Sequence, residues 1–381
     1  MSSIRTDNLL HLDLARGIAA IMVMIGHLRS YLFVAPSELE YVSLTDKLFY
    51  FVTGFGREAV VTFFVLSGFF ITKSIVGMVD RNQWSWHSYL INRLARLWTV
   101  LIPALLLTLL WDQLGITLTG SGYYAGDFLE QYERGPSAPG IELGLLTFFG
   151  NVFFLQNIET AVYGTNFPLW SLSYEFWYYI LFPLAFVPFV TKQNLIKKIC
   201  SAVLFCLLVA WLPKDVLLLG FVWLCGSAVY YINSRSSLAE KFHHPIVLVL
   251  SFLALGMVLT VSRVGILNQG IVVDLLIGVA FSLVMLGLIP RKPRQKAYGA
   301  VATVSSNMSY SLYLVHDSFI AFIACYFLHN KVVPISLSMF AIFCVITLVY
   351  SYLVYWCFER NTKNVAALAR KTIAPLVQAH R

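Results

Sequence analysis

Ten apolar stretches recur along the chain, at 10–33, 48–72, 97–114, 169–191, 199–213, 216–233, 246–262, 271–290, 299–328 and 335–358. Most approach the roughly 20 residues that a helix needs to cross a bilayer core, and 199–213 is shorter. So little chain separates them that length counts spans here, not soluble domains. Composition agrees: 59% of the 381 residues are hydrophobic and 12% charged, against about 25% charged in a soluble domain. The pattern predicts an all-α polytopic membrane protein. The N-terminal "MSSIRTDNLL" lacks the basic–apolar–small layout of a cleavable signal, so the first span is expected to be retained.

The formal charge of +8 is distributed between the apolar runs and does not point to a nucleic-acid partner. Arg5 and five clusters (Lys73/Arg81/Arg93/Arg96, Lys192/Lys197/Lys198, Arg235/Lys241, Arg291/Lys292/Arg294/Lys296 and the tail from Arg360 to Arg381) hold 19 of the 27 Lys and Arg. Ten crossings put every cluster on one face, as the positive-inside rule requires, with both termini cytoplasmic. An eleventh apolar stretch, "GLLTFFGNVFFLQNI" at 144–158, is short and carries Asn151, Gln156 and Asn157. A crossing there would strand the later clusters on the wrong face, so it is expected to enter without traversing. Irregular backbone at membrane depth needs the shield of protein or a water-filled cavity.

Loop 115–143, acidic and rich in Gly, Pro and Tyr, reads either as a mobile lid or as a plain connector. One transmembrane domain over 8–362 and a basic cytoplasmic tail over 363–381 are expected, the tail suited to an anionic leaflet. All six cysteines lie in apolar stretches without a CxxC pair, so neither a disulfide framework nor a metal site is expected.

Ionisable side chains inside spans are costly, by about 2.5–3.5 kcal/mol each near the centre, and usually face a bundle interior. Arg16 and His27 in the first span are 11 residues apart, hence about 20° apart around a helix and about 16 Å along it. Asp13 precedes Arg16 by one turn on the same face and suits an interfacial pair with it. Arg93 and Arg96 share a face among Trp84, Trp86, Tyr89 and Trp98. They are either interfacial anchors or a forked binder for phosphates. Glu175 stands in an aromatic span with Ser171 one turn earlier; it is a structural donor or the partner of a histidine at the same depth. In "NMSYSLYLVHDSF" at 307–319, Ser309, Tyr313 and His316 line one face with Asp317 adjacent, a polar seam or part of a site. A neutral His27 could take a proton from an attacking hydroxyl in acyl transfer. A transporter or flippase for a lipid-linked glycan would use similar parts.

"LDLARGIAAIMVMIGH", "FFVLSGFFIT", "NRLAR", "FPLWSLSYEFWYY", "SYSLYLVH" and the closing "FER" occur in this order. Together they resemble the acyltransferase 3 family of bacterial membrane O-acyltransferases, over about residues 8–362. The resemblance implies a multi-pass enzyme of the bacterial inner membrane. It would move an acyl group, with acetyl the expected one and succinyl used by some relatives, from cytoplasmic acyl-CoA to a sugar hydroxyl. The acceptor would be lipopolysaccharide O-antigen, exopolysaccharide or a lipid-linked oligosaccharide. It further implies that His27 is essential to transfer, as general base or transient acyl carrier, with Arg16 its motif partner, and that Arg93 and Arg96 bind acyl-CoA. Glu175 matches the family carboxylate; Phe176 stands where many relatives carry a second acid. Asp13, Ser67, Ser171, Tyr313 and His316 are supporting candidates. Acetyl-CoA enters as co-substrate, no cofactor is expected to stay bound, and the chain resembles the stand-alone type without a fused SGNH domain.

Overall fold

The computed structural model describes residues 9–39, 41–126, 132–136, 140–234, 239–267, 270–289, 296–329 and 335–378. Arg5, Arg235, Arg291, Lys292, Arg294, Lys331 and Arg381 of the charge pattern lie outside the described residues, as do parts of loop 115–143. Helices make up nearly all regular structure, and the only β pairing among the described residues is isolated bridges. The helices are α1 (Leu10–Leu32), α2 (Leu44–Val52), α3 (Gly56–Asp80), α4 (Trp86–Thr119), α5 (Gly122–Ala125), α6 (Leu145–Val152) and α7 (Leu169–Val190). They continue as α8 (Leu195–Trp211), α9 (Lys214–Ser234), α10 (Pro245–Val264), α11 (Ile271–Leu288), α12 (Lys296–His329), α13 (Leu337–Cys357) and α14 (Thr362–Gln378).

Eight helical stretches among the described residues have the length and apolarity to cross a bilayer. Of the ten stretches expected to span, α8 is shorter at 17 residues. α7, with 22 residues, carries Glu175, Pro183 and Pro188 within its run and is not among the eight. The stretch 48–72 is not one helix. It breaks at Thr53–Phe55 beside Gly54, leaving α2 as a separate nine-residue helix capped by a Ser43/Asp46 box. Leu44, Leu48 and Val52 form an exposed stripe along α2, the pattern of a helix lying in an interface.

The chain forms two compact units, each assembled from separate segments. Unit 1 takes the described parts of 1–19, 57–85 and 174–306. Here α9, α10 and α11 pack side by side. Close backbone contact joins α3 to α9: a Cβ on Gly68 would sit 1.9 Å from the Trp223 carbonyl oxygen, and one on Gly226 would sit 1.7 Å from that of Val65. Lipid gives helices no hydrophobic reason to associate, so such small-residue contacts and interhelical hydrogen bonds hold them. Two of these bonds flank the contact, Trp223 Nε1–H to Ser67 Oγ at 3.2 Å and Thr72 Oγ1 to Ser227 Oγ at 2.9 Å. The SGF signature is therefore a packing motif. At the start of α3, Arg57 forks onto Asp274 at 3.1 and 2.8 Å, and Ser262 donates to Glu58 at 2.7 Å.

Unit 2 takes 20–56, 86–173 and the described parts of 307–381. Its α6 has eight residues, about 12 Å of helix, against a bilayer core of about 30 Å. Trp98 Nε1–H on α4 donates to the Val152 carbonyl at 2.9 Å and holds the end of α6. The chain then turns through Phe154 and Asn157, both at positive φ. Two of the amides that made 144–158 too polar for lipid, Asn151 and Gln156, are buried and serve this irregular backbone, and Asn157 is exposed. Asn151 donates to the carbonyls of Thr147 and Ala161 and accepts from Tyr163 N–H; Gln156 donates to Leu169 O. With eight helical residues the segment is too short to span a bilayer core, which fits the expectation that it does not cross. The tail forms α14, which packs on the first turns of α4, with Ala366 buried and Arg370 bonded to Asn92.

Replacing Gly68 with Val should force α3 and α9 apart and cost about 3 kcal/mol. The check is size-exclusion chromatography of a fluorescent fusion, in which the monodisperse peak should shrink sharply while Ala at the exposed Gly256 leaves it intact.

Candidate active site

Unit 2 joins three segments around one buried carboxylate. α1 contributes His27, α12 contributes His316 and Asp317, and the loop arm at 132–136 contributes Arg134. His27 Nδ1 lies 2.8 Å from His316 Nε2 and 3.0 Å from Asp317 Oδ1. The two imidazoles stack with centroids 5.0 Å apart and planes at 19°. His316 and Asp317 are fully buried, whereas the His27 side chain keeps 17% of its surface.

The hydrogen-bond partners fix the tautomers. His316 Nδ1 is 2.8 Å from the Leu312 carbonyl, which only accepts, so that nitrogen carries the proton. With the ring neutral, His316 Nε2 is then a bare acceptor. His27 Nδ1 faces this acceptor and a carboxylate oxygen, so it must be the donor to both. In the neutral ring the remaining nitrogen, His27 Nε2, is left with a lone pair. An imidazole held by a carboxylate at one nitrogen and open at the other is the arrangement of a general base.

Asp317 is satisfied on every side. Oδ1 accepts from His27 and from Arg134 Nε at 3.1 Å; Oδ2 accepts from Arg134 Nη2 at 2.7 Å and from Phe167 N–H at 3.2 Å. The Phe167 amide arrives there because residues 163–168 are pinned from below. Asp112 on α4 accepts from Thr165 N–H at 2.9 Å and Thr165 Oγ1 at 2.7 Å. Asn166 Nδ2 donates to Thr108 Oγ1 at 3.0 Å and Leu314 O at 2.7 Å. Gly164 is required at this point, since its φ is +58° and a Cβ would sit 2.2 Å from Asp112 Oδ2. Ser171 Oγ meets Tyr313 Oη at 2.6 Å beneath this loop, and the Tyr313 ring lies 6.2 Å from that of His316. These two supporting candidates therefore join the wall of the site.

The donor atoms of His27, His316 and Asp317 lie within 4.8 Å of one another, a spacing that could hold a metal ion. Arg134 favours the hydrogen-bonded reading, because its guanidinium already occupies both carboxylate oxygens and would repel a second cation.

The other expected residues sit elsewhere. In unit 1, Arg16 Nη2 meets Asp13 Oδ1 at 3.3 Å and the Ser306 carbonyl at 3.4 Å, with Phe70 beneath the guanidinium. Asp13 thus pairs with Arg16. Also in unit 1, Glu175 Oε1 accepts from Tyr179 Oη at 2.5 Å; the carboxylate bonded to His27 is Asp317. In unit 2, Arg96 Nη1 lies 2.6 Å from Glu359 Oε1. The other oxygen of this buried acid accepts from Ser311 N–H at 3.0 Å and Ser311 Oγ at 2.6 Å. The acid of the closing FER motif thereby fastens the end of α13 to α4 and α12. Arg93 lies over the Tyr89 ring at 5.7 Å.

A family model described as an acyltransferase domain matches residues 9–356. The chain belongs to the acyltransferase 3 family. It is accordingly a membrane acyltransferase with multiple apolar helices. No curated protein and no solved structure matches it significantly. His27, His316, Asp317 and the residues around them lie within one unit, on α1, α4, α12 and the 163–168 turn. Two of its members had little signal in the sequence. Asp317 stood beside His316 without a stated partner. Arg134 read as one more loop residue, since nothing periodic marks a side chain that reaches back into helices.

Loss of the Glu359 carboxylate should leave Arg96 without its buried partner. Glu359→Ala is expected to destabilise the protein by about 2–3 kcal/mol, read as a lower thermal midpoint in detergent, with Arg93→Ala close to wild type.

Proposed function

We propose that this acyltransferase moves an acetyl group from cytoplasmic acetyl-CoA to a sugar hydroxyl of a surface or exported glycan, in a bacterial inner membrane. The observation that carries the reading is the open Nε2 of His27, whose opposite nitrogen is held by Asp317 and His316. The family's acyl-transfer chemistry supports it.

In the proposed reaction the sugar hydroxyl gives its proton to His27 Nε2 as its oxygen attacks the thioester carbonyl. The tetrahedral intermediate collapses, the C–S bond breaks, and the departing CoA sulfur takes the proton from Nε2. No net proton is consumed. The imidazolium that forms in between lies against Asp317, whose charge stabilises it, as in a Ser-His-Asp triad. A positioned base of this kind contributes about 10²–10⁴-fold. Orientation of His27 is assigned to Asp317 instead of Glu175. The donor's phosphates are assigned to Arg93 and Arg96 at the start of α4, with Arg96 also held by Glu359 at 2.6 Å. The acceptor class is lipopolysaccharide O-antigen, exopolysaccharide or lipid-linked oligosaccharide, whose hydroxyl would approach from the outer side.

Mass spectrometry of surface glycans tests this in cells with and without the gene, complemented by wild type or variants. Wild type should restore an acetylated sugar. His27→Ala, inserted at normal levels, should lower transfer by about 10²–10⁴-fold, and retained acetylation would sink the assignment. In membranes supplied with radiolabelled acetyl-CoA, Arg93→Ala should raise the KM for acetyl-CoA with kcat little changed. An unchanged KM would make Arg93 an interfacial anchor. An acetyl group recovered on His27 after a denaturing quench would make it an acyl carrier in place of a base.

A further inference from the structure

Arg134 reaches the His27–His316–Asp317 cluster from a loop, and its neighbours show how it is held. Three consecutive residues of the arm are fastened. Tyr132 bridges to Val34 just past the end of α1. Glu133 Oε2 takes Arg29 Nη2 at 2.6 Å, and Arg29, which lies over the Tyr50 ring, is two residues beyond His27 on α1. Arg134 then places its guanidinium between the Tyr31 and Phe167 rings, 5.5 and 5.3 Å from their centroids, with the fork on Asp317.

The chemistry calls for arginine in particular. Asp317 has about four acceptor directions, and the fork fills two of them. His27 and Phe167 fill the others. A fork of two parallel N–H donors fixes the plane of the carboxylate, which a lysine ammonium cannot do. The aromatic rings on either side fix the plane of the fork in turn. Without Arg134 the carboxylate would be buried with half its acceptors empty, free to turn away from His27.

We propose that Arg134 is a positioning residue for acyl transfer: the loop arm Tyr132–Arg134, latched to α1 through Arg29–Glu133, sets the Asp317 carboxylate and through it the orientation of His27. This rests on His27 being the base. The loop, read from sequence as a lid or a connector, is then a working part of the site, and strain on the arm is felt at the base.

The test uses membranes from cells expressing the full chain, with radiolabelled acetyl-CoA as probe and transfer into glycan as readout. Displacing a reacting group by about 1 Å can cost about 100-fold, so Arg134→Ala should lower kcat by about that factor. Its KM for acetyl-CoA should stay within about twofold of wild type on the same reasoning. Arg134→Lys should recover part of kcat, and millimolar guanidinium should partly rescue Arg134→Ala but not His27→Ala. Glu133→Gln should lower kcat by a smaller factor. Wild-type kcat in Arg134→Ala, or a loss confined to KM, would overturn the proposal. So would a low kcat that neither Lys nor guanidinium improves in protein that still binds acetyl-CoA. If Arg134→Ala fails to insert, Arg134→Lys decides alone: a lowered kcat at unchanged KM supports the role, and full activity overturns it. An inactive His27→Ala beside a fully active Arg134→Ala would defeat this role alone; an active His27→Ala would defeat the base itself.

Discussion

Asp317 is the constraint on which unit 2 is arranged. A carboxylate buried among helices is tolerated only when its charge is matched and each oxygen is bonded. Here the match comes from four donors on three separate parts of the chain: the first helix, the loop arm at 132–136 and the turn before α7. Each is drawn to the same point by one anion. Meeting the demands of that anion also leaves one imidazole nitrogen without a proton and open. On the proposed reading stability and chemistry share a cause, and the bond that holds the loop is the one that would aim the base.

The short segment around α6 solves a related problem. Its amides would be expensive against lipid, yet they are what an irregular backbone needs inside protein. Asn151 and Gln156 supply hydrogen bonds to the backbone of Ala161, Tyr163 and Leu169. Asp112 and Asn166 then carry the turn onward to Phe167. A stretch that cannot cross thus becomes the support of the amide that meets Asp317. Unit 1 is held differently, by Gly68 and Gly226 at near-touching backbones and by a few interhelical hydrogen bonds.

Much of this was legible in the sequence, for physical reasons. Apolar runs of bilayer length dictate helices, and a run too short and too polar to cross cannot be one more span. His27 stood out because an imidazole deep in an apolar helix demands a partner. The partner itself was not legible. Glu175 and Asp317 are both single carboxylates in apolar surroundings, and helical spacing says nothing of which helix faces which. The structure gives Glu175 to Tyr179 and Asp317 to His27. Arg96 read as a phosphate ligand or an anchor, and its tie to Glu359 depends on a contact across 263 residues. Arg134 was hidden for the same reason. Loop residues carry no periodicity, so a side chain returning to the core leaves no pattern. The break between α2 and α3, at Thr53–Phe55 with Gly56 just after, was missed because apolar residues flank it on both sides.

The most direct measurement is an electron cryomicroscopy structure of the protein with a non-hydrolysable acetyl-CoA analogue bound. A base at His27 Nε2 requires the acyl carbon and an attacking oxygen to meet within reach of that nitrogen, with reacting atoms about 3–3.5 Å apart. The predicted result is density for the acetyl group beside the open nitrogen of His27, with Asp317 still on Nδ1. An acetyl group bound out of reach of His27, or an Asp317 carboxylate turned away from it in the bound state, would contradict the assignment.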